Sequence, residues 1–320
     1  IQKRVAADQF SGAVLLAKNG KILFSQAYGL ADRERAVENT LQTQFRLGSM
    51  NKMFTSVAVL QLVQAGKLAL EDPLAKHLPD YPNQELAKKV TVRHLLTHTG
   101  GTGDIFGPEY TKNRLDLRTL NDYVKLYGAR GLEFEPGSRW AYSNYGFLLL
   151  GVLIERVSGK SYYDYVREHV FKPAGMKSTD SLPEAQVVKK RATGYMRREG
   201  AWKPNTDTLP WRGTSAGGGY STVGDLLRFA EALAKGRLLE PKLVREATRV
   251  QPPATTYGYG FGVSTETGML MFGHSGGAPG MNGALRVCPE SGHVIAVLAN
   301  LDPPAAGRLA DWLEQRLLAR

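Results

Sequence analysis

The sequence predicts an α/β fold: an antiparallel sheet flanked by helices, built from both chain ends, with an inserted, mainly helical domain. Short β-favouring stretches concentrate near the two ends, apolar residues at helical spacing fill the middle, and an amphipathic segment closes the chain. Strand-rich ends around a helical middle indicate one sheet that the chain leaves and later re-enters.

The N-terminal part predicts a β-hairpin. In SGAVLLAKNGKILFSQAYG, two apolar stretches flank Asn19-Gly20, a dipeptide that accepts the positive φ angles of a two-residue turn. The sheet is therefore expected to begin with an antiparallel strand pair.

The C-terminal part predicts four strands and a helix. Strand-like stretches punctuated by Gly, Ser and Pro cover 257–263, 269–273, 283–287 and 294–299, and the last two are expected to pair across 289–292. After Pro303 and Pro304, apolar residues recur at helical spacing, which predicts a terminal helix packed on the sheet. Those residues are Leu309, Trp312, Leu313 and Leu317.

The middle of the chain predicts helices over 50–65, 145–157, 162–170 and 223–234, with Thr222 as N-cap of the last. We therefore expect a sheet domain from residues 1–65 and 251–320 and a mainly helical domain from 66–250. The active site is expected at their junction, because clefts between domains are common ligand sites.

Composition excludes several classes of function. The net charge of +11 comes from basic residues that are spread along the chain, so we predict a solvated basic loop and no nucleic-acid binding. The one basic cluster, which is expected to form this loop, comprises Lys189, Lys190, Arg191, Arg197 and Arg198.

No stretch approaches the roughly 20 apolar residues that span a bilayer. The chain begins at Ile1 without a methionine, which suggests that a leader was removed; a periplasmic or secreted location is one interpretation, but no signal peptide is visible and the compartment stays unknown.

Ser49 and Lys52 are the first candidates for catalysis. They lie three residues apart at the predicted start of a helix that is apolar on nearly every side, so they share one face of a buried helix. A lysine acts as a base only if its pKa falls by roughly 3 units from about 10.4, which burial can achieve. The pair suits a nucleophile beside its base. Alone, it equally fits an N-capping serine and a surface lysine.

Two further segments offer partners for this pair. Tyr142 and Asn144 lie two apart in a loop before a helix, so both side chains point the same way. A phenol near a lysine ammonium can have its pKa lowered enough to share a proton, and an amide can fix the lysine and the substrate. The second segment, His274-Ser275-Gly276-Gly277, ends a predicted strand, where small residues let a substrate backbone approach. Backbone amides of Ser49 and Gly277 could form an oxyanion hole.

In this order and spacing, SMNK, YSN and HSG resemble the motifs of the serine β-lactamase and penicillin-binding protein superfamily. The resemblance is greatest to its branch of class C β-lactamases, DD-peptidases and family VIII carboxylesterases. It covers nearly the whole chain and includes FRLGSMNKMFT, VRHLLTHTGG, FEPGSRWAYSNYGFLLLG, TSAGGGYSTVGDLLRFA and GHSGGAPGMNGALRV.

The resemblance implies that Ser49 is acylated, that Lys52 and Tyr142 share the acid–base work, and that Asn144 contacts the acyl part. It further implies that His274, Ser275 and Gly276 line a strand edge. The expected substrate is a small ester, amide or lactam, and no metal or cofactor is expected because neighbouring side chains activate the nucleophile.

One residue departs from the lactamase pattern. His274 stands where β-lactamases and most transpeptidases carry the lysine of Lys-Thr-Gly. Because histidine is mostly neutral at pH 7, we predict a carboxylesterase acting on short-chain esters. The alternative, with the same catalytic residues, is a D-alanyl-D-alanine carboxypeptidase or a β-lactamase, since related DD-peptidases also carry histidine.

Three other interpretations fit the sequence less well. Gly273 to Gly277 also fits the Gly-x-Ser-x-Gly elbow of α/β-hydrolases, with Ser275 as nucleophile, but Ala278-Pro279-Gly280 follows where a helix is required. His94 and His98 have a zinc-like spacing without the glutamate of His-Glu-x-x-His, so structural roles are expected. A hydrolase-like binding module would have no physical need for a buried Lys52.

Overall fold

A computed structural model describes residues 1–318 of the chain, so positions 319 and 320 of the predicted sheet segment lie outside the described residues. The strands are β1 (Gly12–Lys18), β2 (Lys21–Tyr28), β3 (Leu30–Asp32), β4 (Val37–Glu38), β5 (Phe45–Arg46), β6 (Tyr195–Arg198), β7 (Ala201–Pro204), β8 (Tyr220–Ser221), β9 (Gly262–Ser264), β10 (Met271–Ala278), β11 (Met281–Cys288) and β12 (His293–Ala299).

The helices are α1 (Gln2–Ala6), α2 (Lys52–Gln64), α3 (Leu74–His77), α4 (Gln84–Lys89), α5 (Val92–Leu96), α6 (Pro108–Asn113), α7 (Leu120–Tyr127), α8 (Asn144–Ser158), α9 (Tyr162–Val166), α10 (Lys172–Ala174), α11 (Val223–Ala234), α12 (Pro241–Ala247) and α13 (Ala305–Leu318). Short 3₁₀ turns cover Gly48–Asn51 and Thr206–Thr208, and a π-helical turn covers Arg167–Phe171. No helix within residues 1–318 is both long and apolar enough to cross a membrane.

A six-stranded antiparallel sheet in the order β2-β1-β12-β11-β10-β9 joins the two ends of the chain, as predicted. The N-terminal hairpin is confirmed, with Lys18 opposite Lys21 and positive φ angles of 50° at Asn19 and 79° at Gly20. The predicted pairing across 289–292 is also confirmed, with Cys288 opposite His293.

Two predicted strand boundaries are wrong. Tyr257 to Phe261 does not form a strand, because Gly260 has a φ of 72° and the chain turns there; β9 covers only Gly262–Ser264. In contrast, β10 continues five residues beyond the predicted end at Gly273, because it pairs with β11 as far as Ala278 opposite Met281. His274 to Gly277 therefore lie inside this strand rather than at its end.

The helices predicted for the middle of the chain are present as α2, α8, α9 with the adjoining π-helical turn, and α11. Thr222 caps α11, since its Oγ1 accepts a hydrogen bond from the Asp225 amide at 3.1 Å. The terminal helix α13 is confirmed and packs on β11 and β12. Its buried face consists of Ala306, Leu309 and Ala310, whereas Trp312 is 43% exposed.

Helices cover both faces of the sheet. Along β1, Val14 and Leu16 pack with Leu309 of α13, while Ala13 and Leu15 face the larger core that includes α2, α8 and α11, as the two-residue period of a strand requires. Helix α11 lies within the segment 66–250 yet packs against β1 and β12. The division into segments 1–65, 66–250 and 251–320 stays a prediction.

Candidate active site

Ser49 lies in the 3₁₀ turn that leads into α2, directly beside strand β10. A side chain at Gly48, whose φ is 54°, would place its Cβ 3.0 Å from the Gly277 amide nitrogen, and a Cβ at Gly276 would lie 1.8 Å from the Leu47 carbonyl oxygen. These contacts leave no room for side chains at Gly48 and Gly276. Backbone packing between the turn and the strand thus fixes where the Ser49 hydroxyl lies.

Lys52, the first residue of α2, has no solvent exposure. Its Nζ donates hydrogen bonds to Asn144 Oδ1 at 2.7 Å and to the Ala216 carbonyl oxygen, and it lies 4.6 Å from the centre of the Tyr142 ring. Burial lowers the pKa of Lys52 to about 7, against the opposing effect of the Asp104 carboxylate. A large fraction of the amine is therefore neutral near neutral pH, as a general base must be.

Asp104 holds Asn144 in the orientation that serves Lys52. Its Oδ1 accepts the Asn144 backbone N–H at 3.0 Å, and its Oδ2 accepts a hydrogen bond from Asn144 Nδ2 at 3.1 Å. Since the amide nitrogen is engaged by the carboxylate, the amide oxygen faces Lys52. Sequence analysis missed Asp104, because an aspartate in a glycine-rich loop, 40 positions before Asn144, carries no pattern of its own.

Tyr142 lies beside Lys52 and forms a hydrogen bond with the Ser49 hydroxyl. The expected lowering of the Tyr142 pKa is wrong: burial raises the pKa of the phenol, and the hydrogen bond with the Ser49 hydroxyl lowers it by a smaller amount. The phenol is therefore protonated in the resting site and can donate a proton while accepting one from a neighbour. Ser49, Lys52, Tyr142 and Asn144 form one cluster.

His98 clamps the segment that carries Tyr142. The His98 carbonyl oxygen accepts the Ala141 N–H at 2.9 Å, and its Nδ1 accepts the Ser143 N–H at 3.1 Å. Between these two hydrogen bonds, the imidazole lies 4.3 Å from the Tyr142 ring, centre to centre. His98 has a left-handed φ of 58° and is 1% exposed.

The other histidine of the rejected zinc pair has a local role. His94 Nδ1 accepts the Thr91 N–H at 3.2 Å, while Thr91 Oγ1 accepts the His94 N–H. This capping box fixes the start of α5. His98 packs against Tyr142 beneath the surface of the site, which the sequence did not indicate.

His274 lies near Lys52 as a neutral imidazole but does not line the Ser49 cleft. Its Nδ1 lies within hydrogen-bond distance of the Ser275 carbonyl oxygen, which can only accept, so Nδ1 carries the proton. The Tyr257 hydroxyl then donates to Nε2 at 2.8 Å. Burial, reinforced by the nearby Lys52, lowers the pKa of His274 to about 3.

The strand alternation of β10 separates the four residues predicted to contact substrate. A Cβ at Gly276 would point at the Ser49 turn, whereas one at Gly277 would meet Pro303 on the other face of the sheet. Ser275 shares that other face, and its Oγ accepts a hydrogen bond from Arg286 at 3.1 Å. The Ser275 side chain therefore does not point toward the Ser49 turn. The chain also continues as a strand there and does not turn into a helix, as a nucleophile elbow would.

The edge of β10 beyond β9 is open. Within residues 1–318, β9 pairs only with Met271 to Gly273, so the backbone from His274 to Ala278 has no neighbouring strand on that side. Such an edge can hydrogen-bond an extended ligand.

The loop 214–217 closes the opposite side of the Ser49 turn. Asn51 Nδ2 donates to the Thr214 carbonyl oxygen at 2.6 Å, Thr55 Oγ1 donates to the Ser215 carbonyl oxygen at 2.7 Å, and the Gly218 amide donates to the Gly48 carbonyl oxygen at 3.0 Å. Gly217 and Gly218 thus pack beside the cleft.

Ser49 opens into a cleft of about 340 Å³ that Asn144 and Gly277 also line. Most of its walls are apolar or glycine-rich. The apolar and aromatic members are Ile105, Phe106, Tyr110, Tyr123, Leu209, Pro210, Ala216, Ala278, Pro279 and Met281.

The chain is similar to known proteins along its whole length. Residues 1–320 match the family described as Beta-lactamase. PbpX of Bacillus subtilis (strain 168) is 32% identical over 292 residues, which cover 90% of this chain and 70% of PbpX. Penicillin-binding protein 4* of the same organism is 32% identical over 293 residues, covering 85% of this chain and 64% of that protein. The chain thus spans slightly less than two thirds of this second relative.

Solved structures agree with these matches. A penicillin-binding protein from Bacillus halodurans superposes with a TM-score of 0.89 at 32% identity, covering 99% of this chain and 100% of that one. A D-stereospecific amidohydrolase from Streptomyces sp. has a TM-score of 0.81 at 28% identity, covering 99% and 96%. The predicted superfamily and fold class are confirmed. The chain belongs to the beta-lactamase family and is a hydrolase of the serine β-lactamase and penicillin-binding protein superfamily.

Proposed function

We propose that this chain is a carboxylesterase that hydrolyses short-chain esters through an acyl-enzyme on Ser49. The observation that carries the proposal is the fully buried Lys52, whose pKa is lowered to about 7. Burying a lysine costs stability, so its presence indicates a function. Here the lysine adjoins a tyrosine and a serine hydroxyl, as a general base beside a nucleophile would.

In acylation, Ser49 Oγ forms a bond to the ester carbonyl carbon while its proton passes, through Tyr142, to neutral Lys52. The carbon–alkoxy bond then breaks, and the leaving oxygen takes that proton as the alcohol departs. In deacylation, a water oxygen bonds to the same carbon, its proton is held by the same two residues, and the carbon–Oγ bond breaks as Ser49 regains a proton. The sum is ester plus water giving acid plus alcohol.

Backbone groups would stabilise the negative charge that develops on the carbonyl oxygen. The amides of Ser49 and Gly277 are assigned to the oxyanion hole, supported by the close packing of Gly48 against Gly277. Asn144 would contact the acyl part, and the backbone of His274, Ser275 and Gly276 would line the substrate along the open edge of β10.

The preference for esters rests on His274. With its pKa lowered to about 3 and both ring nitrogens engaged, this imidazole offers no cation to the carboxylate of a penicillin or a C-terminal peptide. Esters whose leaving group carries no charge lose the least binding energy when this cation is missing.

The second candidate is an amide hydrolase with the same catalytic residues, a D-alanyl-D-alanine carboxypeptidase or a β-lactamase. The open edge of β10 from His274 to Ala278 favours it, because a peptide can add to such an edge. Relatives named as penicillin-binding proteins and the neighbouring D-stereospecific amidohydrolase support it too.

Steady-state kinetics on three substrates distinguish the candidates: p-nitrophenyl butyrate, a peptide ending in D-alanyl-D-alanine, and a penicillin. We expect kcat/KM to be highest for the ester, and penicillin to be hydrolysed slowly or to act as a weak acylating inhibitor. Faster turnover of the peptide or the penicillin would assign the enzyme to the second candidate.

A further inference from the structure

Arg212 is held rigidly beside the Ser49 cleft. Its Cζ lies 3.3 Å from the centre of the Tyr163 ring, and its Nε donates to the Ser181 carbonyl oxygen at 2.7 Å. Stacking on one face and one hydrogen bond fix the plane of the guanidinium.

The two terminal nitrogens of Arg212 are left without a partner. Among the described residues, neither makes a hydrogen bond or a salt bridge, whereas the neighbouring Arg167 engages both Asp164 and Asp180, at 2.8 and 2.9 Å. Arginine stays protonated at any physiological pH. Arg212 therefore presents two parallel donors that no other group engages, although the Asp164 and Asp180 carboxylates lie close enough to act on its charge.

Arg212 is the one charged residue that lines the Ser49 cleft within residues 1–318, and no acidic residue lines it. The rest of the wall is largely apolar, with Ile105, Leu209 and Met281 among its members. A cleft of this kind favours an apolar ligand that ends in an anion, since the charged fork pairs with a carboxylate in two places.

The cleft also indicates which part of the substrate carries that anion. Asn144, assigned above to the acyl part, lines the cleft with Arg212, whereas His274 does not. The lysine that β-lactamases carry in place of His274 would act on the leaving group. Arg212 lies on the acyl side, so it does not take over the role of that lysine.

We propose that Arg212 binds a carboxylate at the far end of the acyl group, so that the preferred substrates are monoesters of short dicarboxylic acids. This inference rests on the proposed esterase function. It specifies an acyl group with a terminal carboxylate, which an esterase without a cation in its acyl site would not prefer.

Matched esters test the proposal. Monoethyl glutarate and monoethyl adipate are compared with ethyl valerate and ethyl hexanoate, which have the same acyl chain lengths and lack the carboxylate, with product acids measured by chromatography. We expect the wild type to prefer the carboxylate-bearing ester in kcat/KM. Arg212→Gln should reduce that ratio by roughly 10- to 100-fold, the usual range for a charged hydrogen-bonded contact.

Arg212→Lys keeps the positive charge but lacks the two parallel donors, so its kcat/KM ratio should lie between those of the wild type and Arg212→Gln. The matched control is Arg114→Gln, because Arg114 is a nearby cation bound to backbone oxygens of Thr111 and Asp207 that does not line the cleft. Its selectivity ratio should match that of the wild type.

Calorimetry with glutarate, the product acid, supplies a readout that needs no turnover. Binding by the wild type and its loss in Arg212→Gln, with a melting temperature that confirms folding, would support the proposal. No preference for the charged esters in the wild type, an unchanged ratio in Arg212→Gln, or no glutarate binding would overturn it. If neutral esters are still hydrolysed, only this inference fails; if no ester is hydrolysed, the proposed function fails as well.

Discussion

Lys52 Nζ donates a hydrogen bond to Asn144 Oδ1 at 2.7 Å, inside a site where Lys52 has no solvent exposure. An ammonium in that position is held by an amide and a carbonyl oxygen rather than by a carboxylate, so burial dominates its pKa. The activity of Lys52 as a base, and its dependence on pH, should follow from this burial.

Lys52→Arg should be as damaging as Lys52→Ala. Arginine supplies the charge but cannot give up its proton, so a base is lost in both variants. Retention of more than about a tenth of the rate in Lys52→Arg, a loss below about 1.4 kcal/mol, would mean that Lys52 acts only as an electrostatic support.

In the wild type, kcat/KM should fall as the pH drops through about 7, because Lys52 becomes protonated there.

Asp104→Asn should shift the acidic limb of the kcat/KM profile to lower pH. The Asp104 carboxylate raises the pKa of Lys52 against the effect of burial, so removing the negative charge lowers that pKa further. The plateau rate should also fall, by roughly 10- to 100-fold, because Asn144 loses a charged hydrogen-bond partner. A limb that stays in place or moves to higher pH would contradict the assignment of that limb to Lys52.

Much of this site follows from sequence, and the limits have physical reasons. Ser49 and Lys52 lie three residues apart where a 3₁₀ turn leads into the buried helix α2, and Tyr142 and Asn144 lie two apart where a loop leads into α8, so local sequence patterns reveal these four residues. Asp104, His98 and Arg212 act across long separations in the chain, so no local pattern reveals them. The end of β10 was misplaced because Gly276 and Gly277 resemble a turn, while pairing with β11 keeps them extended.

Substitutions at His98 should rank by what they preserve. Asparagine accepts the left-handed backbone and can still accept the Ser143 N–H, whereas alanine does neither. His98→Ala should therefore be less stable than His98→Asn by about 2 kcal/mol, measured by urea unfolding. Both should lower kcat, because Tyr142 loses the ring packed against it. Equal stability of the two variants would show that the clamp contributes little.

His274→Lys should improve reactions with carboxylate-bearing leaving groups. A lysine offers the cation that the neutral imidazole lacks, so the rate of penicillin turnover relative to p-nitrophenyl butyrate should rise. The control is Ser275→Ala, since that side chain faces Arg286 on the other side of the sheet and should leave the ratio unchanged. No gain in the lysine variant would remove the charge argument for ester preference.

The central claim is that Ser49 is the nucleophile, and intact mass spectrometry with a fluorophosphonate probe tests it most directly. Peptide mapping should locate one adduct on Ser49 in the wild type and in Ser275→Ala, with none in a folded Ser49→Ala variant. An adduct on Ser275 that survives in Ser49→Ala, or no adduct on the folded wild-type protein, would contradict the account.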